Sequence, residues 1–284
     1  MTWLARLRML LAIALWAGLP ASPARADDAA PVRVAVVNTP HFSGLMTMLL
    51  AEFERATGRK TTLYGGSDVF DRAIDDKADI VIAHLGKPGM EAFVMGGHGR
   101  WPRTVFSNEV AIIGPPDDPA GVRGMSDAAA ALKKIAASGS PFIANQLPGV
   151  SYLTDILLAT GGHLEKGKWY VDEGVAKGQA LRLASDRKGY VIFGALPFLR
   201  IQSRHGLALT LLVTADPILQ RVMASTVVNP EKHPQAQVAG ATALQDFLLL
   251  PATQALIASY RSPGSTEQLW WPAGRHNETP ATFD

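Results

Sequence analysis

The 284-residue chain contains no cysteine, which excludes a disulfide framework, a thiolate nucleophile and a cysteine that could carry a lipid. Charged residues are 18% of the sequence, and the basic ones are scattered, so no clustered face points to nucleic-acid binding. Long apolar sequence is also scarce. The run 9–19 is shorter than the roughly 18–20 residues a membrane span needs, and no later run exceeds it. No internal repeat or low-complexity tract is present. What the amino end does hold is an address: Arg6 and Arg8 precede the apolar run, and Ala24-Arg25-Ala26 closes it in the pattern of a secretory leader cleaved after Ala26. Removing its three arginines turns 27 basic residues against 25 acidic into 24 against 25, so the basic balance belongs to the leader. The expectation is an unanchored protein in a periplasm, with residues 27–284 as the mature chain.

Within that chain, the stretch 33–58 changes hydrophobic period once. Val34, Ala35, Val36 and Val37 form a β-branched apolar run suited to a buried parallel strand, whereas Leu45, Leu49, Phe53 and Ala56 recur at helical spacing. Between them lies a polar loop, Asn38-Thr39-Pro40-His41-Phe42-Ser43-Gly44. Ser43 is placed to cap the helix and leave backbone N–H groups facing outward, where they attract anions. The device repeats: 60–64 alternates as a strand and ends at Gly65-Gly66-Ser67-Asp68, and 79–83 is an apolar strand followed by His84. In an open parallel sheet the carboxyl ends of strands gather on one edge, so Asn38, Thr39, Gly66, Ser67 and His84 are expected to form a ligand-binding edge. Further on, 110–113, 141–144, 189–194, 209–213 and 223–229 read as strands. Segments 125–138 and 152–160 read as helices, the latter after a loop at 145–151, and 236–259 reads as a helix interrupted at Pro251.

Several motifs, in order, resemble the periplasmic solute-binding proteins of ABC importers, and among them the tungstate-binding branch. They are Ser43-Gly44-Leu45, Ala78-Asp79-Ile80-Val81 with His84, Asn108-Glu109 before Gly114-Pro115-Pro116-Asp117-Asp118-Pro119-Ala120-Gly121, and Ala131-Leu132-Lys133-Lys134-Ile135-Ala136. Pro141-Phe142-Ile143, Gly167-Lys168-Trp169-Tyr170 and Val228-Asn229-Pro230-Glu231-Lys232-His233-Pro234 follow. The prolines shape turns, and Trp169 and Tyr170 read as packing residues. The resemblance implies an α/β, two-lobed periplasmic-binding-protein fold of type II, with a central mixed sheet flanked by helices in each lobe and a ligand cleft between them. Lobe 1 would comprise 27–108 and 220–284, and lobe 2 would comprise 109–219, with crossovers near 107–110 and 212–223. The implied protein is a monomer without cofactor that hands a small solute to a membrane permease of the ABC type.

In the tungstate branch the oxyanion is held by a Thr/Ser-rich loop before Ser-Gly-Leu, by a Thr in the second loop, and by an Arg followed by Ser-Gly-Thr in the second lobe. Here Val37-Asn38-Thr39-Pro40 precedes Ser43, Gly66 stands beside Ser67, Asn145 stands where the Arg is expected, Gly149-Val150-Ser151 replaces Ser-Gly-Thr, and Phe193-Gly194-Ala195 replaces a later Thr-Asp-Arg. A desolvated dianion needs charge-assisted donors, so tungstate is disfavoured. His41, Phe42, Leu147, Tyr152 and Phe193, with Asn145, Gln146 and Ser151, suit a small organic molecule or organic anion; Lys177 is the nearest candidate cation. Oxyanion binding, or the same lobes serving as the ligand-sensing subunit of a membrane kinase, are the alternatives. Enzymatic activity has no support, because Ser43, Ser67 and Ser151 lack a spaced His/Asp partner. The spacings of His41, His84 and His98 match no metal motif.

Overall fold

The computed structural model describes residues 30–214, 216–263, 266 and 268–272, so the leader and its cleavage site lie outside the described residues. Val34, Ala35, Val36 and Val37 are all buried, as residues covered on both sheet faces must be, and they form the second part of β1 (Val32–Val37). β2 (Thr61–Gly66) and β3 (Ile80–His84) pair with it in parallel on either side. β3 then pairs antiparallel with the late strand β9 (Gln220–Val227), which in turn pairs antiparallel with β4 (Arg103–Gly114).

Strand β4 changes partners part-way along its 12 residues. Arg103 to Glu109 run against β9, and Val110 to Gly114 run against β7 (Tyr190–Gly194) and β8 (Thr210–Val213). Beyond β7 come β5 (Phe142–Ile143) and β6 (Tyr170–Val171), both parallel, giving the order β2-β1-β3-β9-β4-β7-β5-β6, with β8 and β10 (Trp271–Pro272) also on β4. Each half of this path is a mixed sheet.

Helices cover both faces: α1 (Asn38–Phe42), α2 (Leu45–Thr57), α3 (Val69–Ile74) and α4 (Met90–Met95) in the first half, α5 (Ala128–Ser138), α6 (Pro148–Thr160), α7 (Gly178–Asp186) and α8 (Ala195–His205) in the second, and α9 (Val238–Leu249) and α10 (Pro251–Ser259) after the return. Period-two alternation sorts the second half into two cores. Ala111, Ile113, Val191 and Phe193 face Ala180, Leu181 and Phe198 of α7 and α8, in one cluster with the β1–β3 core. Val110, Ile112, Tyr190 and Ile192 pack instead with Leu132 and Ile135 of α5 and Leu157 of α6. Among the described residues no single helix is long and apolar enough to cross a membrane; α9 and α10 are bent 64° apart at Pro251.

Four local readings are corrected. The expected polar loop after β1 is mostly helical, because Pro40 falls in the first turn, where a missing N–H costs nothing, and left-handed Gly44 (φ 82°) then separates α1 from α2. Gly65 and Gly66 lie within β2 rather than after it, Gly66 pairing with Val37. Helix α6 starts at Pro148 rather than near Tyr152, since proline's fixed φ suits the first helical position. Ala56, expected on the apolar face of α2, is exposed near its end.

Candidate functional site

The parallel register sets Val37 beside Gly66 and Val36 beside Ile82, so Asn38, Ser67 and His84 emerge along one edge of the β2-β1-β3 group. Asn38 and Ser67 are exposed there, Thr39 is partly buried, and Gly66 is buried. His41 lies over Gly65: a Cβ at that glycine would come within 2.3 Å of the imidazole ring, so only glycine lets α1 settle on β2. The Nδ1 of His41 is buried with no hydrogen-bond partner among the described residues. Ser43 is 3% exposed and fully engaged. Its hydroxyl donates to the Pro40 carbonyl and accepts from Leu45 N–H at 3.3 Å, and its own carbonyl accepts from the Tyr260 hydroxyl at 2.6 Å.

The second half supplies a different set. Asn145 is 3% exposed; its Nδ2 donates to Ile192 O at 3.0 Å while its Oδ1 accepts from the N–H groups of Leu147 and Lys177. It ties together β7, the start of α6 and the loop before α7. Gln146 is exposed and donates to Asp172, and Ser151 lies partly buried in the first turn of α6. Tyr152 is 70% exposed. Phe193 sits opposite Ala111 in the core under α7 and α8, rather than on an open wall. Lys177 is exposed, held at φ 55°, and bonded through its backbone, the N–H donating to Asn145 Oδ1 and the carbonyl accepting from Leu181 N–H.

The two halves meet where β4 switches partner. Asn108 of β4 is directly opposite Arg221 of β9, and Met223, two residues on, is opposite His84 of β3. Cross-strand partners and residues two apart share a face, so His84, Asn108 and Arg221 project from the same side. The His84 Nε2–H donates to Asn108 Oδ1 at 3.3 Å. Burial first, and then the charges of Arg221 and Lys87, push the His84 imidazole down to about 4, so it is neutral at pH 7. The Arg221 guanidinium reaches into the second half and donates to Gly149 O at 3.0 Å, at the start of α6, which has no side-chain cap. Burial lowers its pKa, and no carboxylate among the described residues pairs with it. A second bridge joins the two halves: Arg200 of α8 stands 4.6 Å over the ring of Phe42 of α1, which is 55% exposed.

Arg221 and Arg200 escaped the sequence reading, and Asn108 entered it only within a family motif. A signal existed for the first: Arg221 is the only charged residue between Asp216 and Glu231. His98, by contrast, is paired with His233 at 2.9 Å, and His233 with Asp76 at 2.7 Å. Among the described residues no group of three or more metal-ligating side chains converges.

A family model described as bacterial extracellular solute-binding protein matches residues 11–260. The chain belongs to that family. Within the solute-binding proteins it is 28% identical over 245 residues to a Haloferax volcanii protein named as an ABC transporter anion-binding protein, a match covering 84% of this chain and 71% of that one. It is 29% identical over 223 residues to the tungstate-binding protein TupA of Peptoclostridium acidaminophilum, covering 77% of each. The solved tungstate-binding protein TupA of Desulfovibrio alaskensis superimposes with a TM-score of 0.72 at 28% identity, over 86% of this chain and 99% of that one. The architecture is therefore the two-lobed periplasmic-binding-protein fold.

Proposed function

We propose that this solute-binding protein captures a small organic anion between its two lobes outside the cytoplasm and delivers it to an ABC-type permease. Residues 1–26 would serve as a cleaved leader into the periplasm, 27–108 with 220–284 as lobe 1, and 109–219 as lobe 2. The observation that carries this reading is the junction at β4. There the polar edge of β1–β3 comes together with the uncapped start of α6 across His84, Asn108 and Arg221. The name of the Haloferax relative supports an anion as cargo. Against tungstate stands Asn145, which replaces the arginine the tungstate branch is expected to carry and uses both ends of its amide inside the lobe. A closed cleft that lacks that cation leaves a dianion undercompensated.

The test is a thermal-shift screen followed by calorimetry, with acetate, lactate, succinate and benzoate against tungstate, molybdate and sulfate. A ligand that binds only the native state raises Tm by mass action. The expected outcome is a carboxylate hit, with tungstate and molybdate at least about 100-fold weaker than the nanomolar range, about 2.7 kcal/mol. Nanomolar tungstate affinity would assign the protein to oxyanion capture instead.

A further inference from the structure

We infer that Arg221 is the residue that binds the ligand's charge, and that its fork selects a planar carboxylate. The inference rests on the cleft reading above and names its ligand class. The guanidinium stands at the junction of the lobes, partly buried, opposite Asn108 and close enough to His84 for its charge to be felt there. A partly buried cation with no acidic partner is costly to keep, and among the described residues the protein gives Arg221 only the neutral carbonyl of Gly149. One of its five donors is thereby occupied, so the planar fork remains largely free for an anion.

Its position on α6 is fixed by Gly149. A Cβ there would lie 2.7 Å from both terminal nitrogens, so the guanidinium rests against the first turn of the helix, with both of those nitrogens at the junction. Charge selects the ligand class. Arg221 contributes one positive charge, while His84 and Asn108, on its own face, are neutral at pH 7. Lys87, the other cation near His84, follows β3 beyond the strand end, Lys177 is exposed, and Arg200 is exposed and held over the Phe42 ring. A single carboxylate is matched by one guanidinium through two parallel N–H···O bonds, whereas a tetrahedral dianion would keep a net negative charge in the cleft. On binding, the ligand oxygens take the donor now held by Gly149 O, and the α6 start stays beside the ligand.

The experiment compares wild type, Arg221→Gln and Arg221→Lys by calorimetry with acetate, lactate, succinate, benzoate, tungstate and sulfate. The ligand-free Tm of each protein checks its folding. Arg221→Gln should weaken the best carboxylate by about 10- to 100-fold, the loss expected for charge-assisted hydrogen bonds. Arg221→Lys, which keeps the charge but loses the fork and serves if the glutamine variant fails to fold, should recover only part of that loss. A carboxylate that binds wild type and Arg221→Gln equally overturns the role of Arg221 and leaves the cleft reading standing. Tungstate or sulfate binding more tightly than every carboxylate overturns the ligand class. Wild type binding none of the six overturns the cleft reading itself.

Discussion

At position 145 the side-chain amide joins three backbone segments: it donates to Ile192 O and accepts from the N–H groups of Leu147 and Lys177. Asn145→Ala would leave those groups unpaired in a buried site, so it should lower folding stability by about 2 kcal/mol, read as a reduced urea midpoint at unchanged slope. An unaltered midpoint would mean that water takes over all three bonds. The family resemblance put this residue in an expected ligand loop but gave no hint of its internal bonding, because two of its partners lie on β7 and before α7. The role of Arg221 was hidden for a related reason. Read alone, it is one arginine at the mouth of an apolar strand; its meaning comes from Asn108, 113 positions earlier, and from Gly149, whose separation from it is 72 residues. Ser43 was expected to cap α2, but Gly44 takes that position and Ser43 ends α1, its hydroxyl accepting from the nearby Leu45 N–H.

Some elements followed their periodicity closely, but residues 103–109 of β4 and the helices α7 and α8 went unread. The apolar spacing of 45–53 gave α2, and the unbroken run 34–37 gave β1, because burying those faces decides the local conformation. Element ends were less legible. Proline reads as a stop, yet Pro40 and Pro148 both sit in first turns, where they initiate helices. Glycine in β2 was likewise read as loop, whereas Gly65 serves the close approach of the α1 imidazole. Gly65→Ala should therefore destabilise the protein by about 1–3 kcal/mol, as overpacking does. The check is thermal melting of the variant; a Tm equal to wild type would show that the His41 ring shifts aside freely.

On the scale of the whole molecule, the apolar cluster that begins around β1 continues through Ala111, Ile113, Val191 and Phe193 into α7 and α8. Since the two lobes share this core and strand β4, they should melt as one cooperative unit. Calorimetry should give a single transition whose van't Hoff and calorimetric enthalpies agree, and two resolved transitions would show that the lobes fold separately. The late return of the chain has its own bearing on how the molecule is made. A polypeptide leaves the ribosome amino end first, so β1, β2 and β3 exist long before β9 arrives to cover β3. The hydroxyl that holds the Ser43 carbonyl at the end of α1, on Tyr260, is synthesised 217 residues after Ser43. A nascent chain of this sequence therefore carries an unfinished β1–β3 edge, with β3 unpaired on its β9 side and the Ser43 carbonyl without its Tyr260 donor, until almost all of it has been translated.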